Sequence, residues 1–184
     1  MRIVIPPSTI MKDISNLVNN EKFADCQFIS SEGNKIWCHR LILQLRCPVF
    51  EAMFASGMKE SKSAMTEIKS DQDFETTLQF LTYIYTDTCD INANNVCGLL
   101  MLATYYKIDR LEAMCEMSIK DCVDVNNCAQ LLGIADQLNA KPLILFLQEY
   151  IYDNIQEVIQ TPSWGQLDKA LVNAILLNSV NRHK

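Results

Sequence analysis

The stretch that decides the fold covers residues 23–61 and reads FADCQFISSEGNKIWCHRLILQLRCPVFEAMFASGMKES. Polar and apolar side chains alternate over residues 25–29, as they do in a strand with one buried face. Residues 30–34 are turn formers, and Gly33 among them can adopt a positive φ. The short apolar run 35–38 then completes a predicted β-hairpin.

Helical spacing replaces the strand pattern after the hairpin. Leu41 and Leu45 lie one helical turn apart and predict an apolar helix face. Pro48 breaks this helix and suits the first turn of the next one. Met53 and Phe54 belong to the apolar stripe of that second helix. The stretch is therefore predicted to fold as strand, turn, strand and two short helices.

Upstream of this stretch, four apolar residues share the spacing of one helix face. They are Ile10, Ile14, Leu17 and Val18, at i, i+4, i+7 and i+8. A leading helix with one apolar face must bury that face against another surface. The simplest expectation is that it packs on its own domain.

Downstream, the pattern passes from mixed to purely helical. Residues 66–69 predict a third strand, and Asp73 is placed to cap the helix that follows. Further helical stripes complete an α+β domain, and beyond it only helical patterns occur. The sequence thus predicts an α+β domain over residues 1–120 and an all-helical region over residues 121–184.

Composition narrows the class of protein. The 184 residues carry a net charge of −6 and form no basic stripe, which argues against nucleic-acid binding. No apolar run reaches the roughly 18 residues of a membrane span, and the apolar part of the N-terminus is short for a secretory signal. The eight cysteines fall mostly on apolar faces, so we expect reduced thiols in the cytosol or the nucleus.

The sequence offers little catalytic or metal-binding chemistry. It contains two histidines, of which His183 lies in a polar tail and His39 follows directly on Cys38. A cap or a satisfied buried imidazole is the default role for His39, because no second ligand pair stands at zinc-site spacing. The glycines are scattered and form no phosphate-binding loop. We therefore expect that the protein binds no metal or cofactor and is not an enzyme. The alternative is an enzyme with a reactive thiol.

Several short segments resemble those of one family. They are Phe23-Ala24-Asp25, Cys38-His39-Arg40, Pro48-Val49-Phe50, Met53-Phe54 and Gly57-Met58-Lys59-Glu60-Ser61. In this order and at these distances they resemble the BTB (POZ) family, and the resemblance covers roughly residues 20–120. The helix pairs that follow are similar to the 3-box, the start of the BACK region, and look most like the tails of the speckle-type POZ proteins and of the BTB proteins with chromosome-condensation-type repeats. The resemblance implies a small mixed sheet flanked by helices, followed by a 3-box/BACK-like helical extension.

The resemblance also implies partners. In many BTB proteins the first helix lies in a two-fold interface, which would bury Ile10, Ile14, Leu17 and Val18 in a homodimer. Cullin-3-binding members carry a hydrophobic residue, any residue and then Glu at the place of Met58-Lys59-Glu60. The expected contacts with the cullin-3 N-terminal domain are Phe54, Met58, Glu60, Tyr105 and Tyr106.

Two functions follow as hypotheses. The first is an adaptor that links a protein substrate to a cullin-3 ubiquitin ligase, with the substrate bound through a missing or separate recognition domain. The second is a module used only for self-association, as in a transcription regulator or a scaffold protein. Met58, Glu60 and the 3-box-like tail favour the adaptor.

Overall fold

The computed structural model describes residues 6–55 and 65–182. The chain forms two compact units, which divide after Glu112. The first unit contains three strands and most of the elements predicted from the opening stretch. The sequence predicts a domain boundary between residues 120 and 121, and this boundary stays a prediction. The two compact units divide at a different place, inside a helix.

The elements of the first unit follow in chain order. They are α1 (Ile10–Ser15), β1 (Cys26–Ile29), β2 (Lys35–Cys38), α2 (Arg40–Arg46), α3 (Pro48–Ala55), β3 (Thr66–Lys69), α4 (Phe74–Thr86), α5 (Val96–Tyr105) and the start of α6 (Asp109–Cys122). The predicted hairpin, the third strand and the breaks at His39 and Pro48 all lie where the sequence indicates them. The α+β class is confirmed.

The sheet has β1 at its centre. β2 pairs with β1 antiparallel and β3 pairs with β1 parallel, so the sheet is mixed. The connecting turn uses Gly33 at φ +84°, a conformation that costs a glycine little. The Ser30 amide donates to the Asn34 carbonyl over 2.9 Å and closes the turn. This turn sets the register in which Cys26 faces Cys38.

His39 joins the hairpin to α2 and to α4. Its Nε2 lies 2.8 Å from the Lys22 carbonyl oxygen and therefore donates to it. Its Nδ1 lies 2.8 Å from the Tyr85 hydroxyl, which also accepts the His39 backbone N–H over 2.8 Å. Because the carbonyl fixes the proton on Nε2, Nδ1 accepts from the tyrosine. His39 is thus the satisfied buried imidazole that the sequence indicated.

The first helix is shorter than the sequence pattern predicts. It ends at Ser15, and Leu17 and Val18 lie in the turns that follow it. The turns lead to Asn19, which adopts a positive φ of 50° and exchanges hydrogen bonds with the backbone of Trp37. The predicted stripe is therefore helical only over its first half.

The apolar face predicted for α2 is also corrected. Leu41 and Leu45 are 75% and 80% exposed, whereas the side chain that enters the core is Leu43. Apolar residues surround this seven-residue helix on most sides, so spacing alone could not identify the buried face. α2 packs against α3 and α4, which leaves the two exposed leucines on the opposite side.

The second unit is built around one helix pair. After α6 it contains α7 (Cys128–Gln137), α8 (Lys141–Asp153), α9 (Ile155–Val158), a 3-10 turn (Trp164–Gln166) and α10 (Lys169–Arg182). α8 contacts α7, α9 and α10. The described residues of this unit form helices and turns without a strand, and its core is aliphatic, with Leu132, Leu143, Leu147, Ile151 and Val158 all buried. No helix in the described residues is both long and apolar enough to cross a bilayer.

Candidate protein-interaction surface

An aromatic cluster lies in the core of the first unit and reaches its surface. Phe28, Phe50 and Phe80 are fully buried, and Tyr106 is 3% exposed. The Phe50 ring stacks on Tyr106 with centroids 4.4 Å apart and meets the edge of Phe28 at 5.9 Å. Phe80 lies 5.1 Å from Tyr106. The cluster thereby ties β1, α3, α4 and the end of α5 together.

Two further rings extend this cluster outward. Phe54, at the end of α3, stacks on Phe50 at 6.3 Å, and the Arg40 guanidinium lies 5.6 Å from the Phe54 ring centroid. Tyr105 meets Tyr106 edge-on at 4.9 Å and is 70% exposed. Phe54 and Tyr105 are distant in sequence, yet both are supported by the pair of Phe50 and Tyr106. This arrangement provides a rigid base for one exposed tyrosine.

The backbone that ends α5 fixes the direction of Tyr105. Lys107 adopts a positive φ of 56°, and its N–H donates to the Thr104 carbonyl. The Ile108 N–H donates to the Ala103 carbonyl over 2.8 Å. These two bonds form a Schellman motif, which stops the helix directly after the two tyrosines.

The residues predicted to bind cullin-3 occupy different environments. Met58 and Glu60 lie outside the described residues. Phe54 is buried, Tyr106 is a core residue and Tyr105 is exposed. Burial raises the pKa of Tyr106, which keeps its phenol neutral. Of the described members of the set, Tyr105 is the one whose ring is open to a partner.

The residues predicted for the dimer interface form a partly exposed patch. Ile10 is 62% exposed, and Ile14, Leu17 and Val18 are half-buried. α1 contacts α4 of its own unit, as the simplest expectation held, but none of its residues is buried. An exposed apolar residue of this size indicates a contact surface when others accompany it.

Sequence reasoning missed an exposed apolar set elsewhere in the unit. Leu41, Leu45 and Phe23 are all strongly exposed, and Met11 on α1 is exposed by more than half. The sequence signal that could have identified the exposed leucines is the third leucine between them, Leu43, since a helix this short cannot bury all three. Large apolar residues left open on α1 and α2 add to the surface available for protein contact.

Three of the eight thiols have a raised pKa. No disulfide joins any of the eight cysteines, all of which are in described residues. A hydrogen bond with the Cys26 thiol, and then burial, raises the pKa of Cys38. Burial raises the pKa of Cys89 to about 11 and raises that of Cys128 as well. A raised thiol pKa lowers the fraction of reactive thiolate. Within the described ranges no group of three or more His, Cys, Asp or Glu side chains is placed to hold a metal ion.

Comparison with known families agrees with this architecture. The family model described as BTB/POZ domain matches residues 14–123, which is more than half of the chain. The match includes the whole mixed sheet, the aromatic cluster and the exposed tyrosine. Domains of this kind self-associate and bind other proteins. The chain therefore belongs to the BTB/POZ family and carries a protein-interaction module.

Proposed function

We propose that the chain is a homodimeric adaptor that presents a protein substrate to a cullin-3 ubiquitin ligase. The observation that supports this most is the aromatic base under Tyr105. It holds an exposed ring on Tyr106, which stacks on Phe50 of α3, the helix that precedes Met58 and Glu60 in the sequence. A partner could then contact Tyr105 and the segment after α3 together.

In this proposal each residue has a separate role. Met58 supplies a flexible apolar anchor, and Glu60 accepts hydrogen bonds that hold the anchor segment. Tyr105 adds a rigid aromatic contact, Tyr106 supports its ring from beneath, and Phe54 extends the same cluster through Phe50. A buried anchor at a protein interface costs about 2 kcal/mol or more when truncated, which is roughly thirtyfold in affinity.

Calorimetric titration with the cullin-3 N-terminal domain tests the proposal. The double variant Met58→Ala with Glu60→Ala should bind at least roughly thirtyfold more weakly than the parent. The matched control is Met11→Ala with Glu75→Ala, which removes the same two side chains from exposed positions outside the proposed cullin surface. The control should bind as the parent does.

Tyr105→Ala provides an independent measurement from a described residue. Because its ring is 70% exposed, the free energy of unfolding should change by no more than about 0.5 kcal/mol. Cullin-3 affinity should nevertheless fall. Unchanged affinity in both Tyr105→Ala and the Met58/Glu60 variant, or no binding by the parent, would replace the adaptor with a module for self-association.

The homodimer is tested by placing charge on the α1 patch. In a two-fold interface a substituted residue occurs on both copies, so Ile10→Asp combined with Ile14→Asp leaves buried charges unpaired. We expect a folded monomer by light scattering. Ile159→Asp makes the same change on an exposed isoleucine of the second unit and should leave the dimer intact. A dimer that survives the double change would move the interface elsewhere, with Leu41 and Leu45 as the next residues to test.

The remaining parts of the proposal concern context. The helices of the second unit would act as the 3-box/BACK-like extension that supports cullin binding. The substrate would reach the complex through a separate recognition domain, and the complex would work in the cytosol or the nucleus. Co-purification of the parent with cullin-3 from cell extract, lost in the Met58/Glu60 variant, would support this setting.

A further inference from the structure

A groove of about 690 Å³ lies within the second unit, between α7 and the first turns of α10. Its α7 wall extends from Ala129 to Gln137, roughly 12 Å or two helical turns. The 3-10 turn contributes further lining residues.

Glycine and alanine stand on both walls of the groove, among four glutamines that add polar surface. Gly133 faces open space, because a Cβ atom built on it would meet no atom within 4 Å. Ala170 and Ala174 stand on the α10 side. Ile134 and Leu171 supply apolar surface between them. Small side chains allow another backbone to approach closely, at helix-packing distances of about 8–10 Å.

The charge of the groove has one sign. Asp136 and Asp168 line it, and its described lining residues include no lysine or arginine. The Asp168 carboxylate is held in place by the Ala170 N–H, which donates to it over 2.7 Å at the start of α10. A partner that complements this surface must bring positive charge beside an apolar face.

We propose that this groove is the docking site for an amphipathic helix of a partner protein, with lysine or arginine flanking its apolar face. The length of two helical turns and the small side chains on both walls suit a helix that lies in a groove. The two carboxylates favour a partner whose charge is positive. The site lies wholly in the second unit, and the proposal does not depend on the cullin-3 adaptor role.

The direct test uses the whole chain and a synthetic probe. The probe is a helical peptide of about 16 residues with blocked ends, made of leucine, alanine and lysine. Its counterpart carries glutamate in place of every lysine. Fluorescence anisotropy should show binding of the lysine peptide that weakens with added salt, and at least tenfold weaker binding of the glutamate peptide.

Two variants locate the binding. Gly133→Phe fills the groove and should lower affinity for the lysine peptide at least tenfold. Gln160→Phe adds the same ring at an exposed position outside the groove and should leave the affinity unchanged. Asp136→Asn with Asp168→Asn removes both charges at constant size, and asparagine at position 168 still caps α10. This variant should also lose tenfold in affinity and bind with less dependence on salt.

Five results would overturn the proposal. The first is absence of binding by the lysine peptide, and the second is equal binding by the glutamate peptide. The third is unchanged binding in Gly133→Phe and in the aspartate variant, which would mean that the peptide binds elsewhere. The fourth is a parent protein that self-associates through a contact abolished by Gly133→Phe, which would make a second copy the occupant. Loss of cullin-3 binding in Gly133→Phe would likewise assign the groove to the ligase instead of a separate partner.

Discussion

The core of the first unit combines aromatic rings with aliphatic side chains, whereas the described core of the second unit contains no aromatic ring. Phe28, Phe50 and Phe80 are fully buried in the first, whereas the described aromatic residues of the second are all half-buried. The contrast is sharpest at two helical glycines. A Cβ on Gly98 in α5 would lie 2.7 Å from Thr76 Cγ2, while one on Gly133 in α7 would meet open space. Dense packing supports an exposed ring in the first unit, and looser packing leaves a groove in the second.

The largest effect should come from removing the centre of the aromatic cluster. Phe50→Ala should cost about 3–5 kcal/mol of unfolding free energy, because it opens a cavity among the rings of Phe28, Phe54 and Tyr106. Each unit contains one tryptophan, Trp37 or Trp164, so backgrounds with Trp164→Phe or Trp37→Phe report on one unit each. In denaturant unfolding, the midpoint reported by Trp37 should shift to lower denaturant, and the midpoint reported by Trp164 should shift much less. Equal movement of the Trp164 signal would show that the contrast between the units does not extend to their stability.

The next effect should come from Gly98→Ala. The added methyl group meets Thr76 Cγ2 and the Gln72 side chain, and overpacking of this kind costs about 1–3 kcal/mol. The change should lower the midpoint of the unfolding transition that Trp37 reports. Stabilisation by this substitution would mean that α5 and α4 separate easily and that the first unit is less densely packed than the distances indicate.

A charged cap should make the stability of the first unit depend on pH. The Asp73 carboxylate accepts the Thr76 N–H over 2.8 Å, and this bond holds its pKa below the ordinary value. The stabilisation is complete above the unfolded pKa of about 3.9 and is lost as the pH falls through the lower folded value. Asp73→Ala should therefore cost about 1 kcal/mol at neutral pH and less in acid. Asp73→Asn is the matched control, since it keeps the capping oxygen without a titration. A cost that stays constant with pH would contradict the assignment.

The smallest effect should have the opposite sign. Gly133→Ala should raise the unfolding free energy by about 0.5–1 kcal/mol, because it removes backbone freedom from the unfolded chain and meets no neighbour. The Trp164 transition measures it. Together with Gly98→Ala, the same substitution in two helices should give opposite results, and equal signs would remove the distinction between the units.

Local chemistry made most of the first unit predictable. The strand at Lys35–Cys38, the helix that begins at Pro48 and the Asp73 cap each depend on residues close in sequence, and each is present. Such features follow from turn geometry and backbone constraints, which act over a few residues. They required no knowledge of the tertiary contacts.

Exposure was harder to predict than structure. Tyr105 and Tyr106 are adjacent and chemically identical, yet one is open and the other lies in the core. The difference follows from helical spacing, since Tyr106 comes three residues after the buried Ala103, and the site prediction named both tyrosines without applying that spacing. Leu41 and Leu45 were misassigned because their helix is apolar on most sides. The candidate site could therefore be placed only to a helix end, and its Met58 and Glu60 members stay predictions.

The central position of β1 has a consequence for the order of folding. Cys26 pairs locally with Cys38 across a tight turn, but its parallel partner Thr66 comes from a distant part of the chain. Because closing a long loop costs more entropy than closing a hairpin, we expect the hairpin to form before β3 joins it. Stopped-flow kinetics should then show Ile36→Ala slowing refolding and Ile68→Ala mainly accelerating unfolding. Until β3 docks, one edge of β1 offers unpaired backbone groups, so the interval between these two steps is when the chain is most exposed to aggregation.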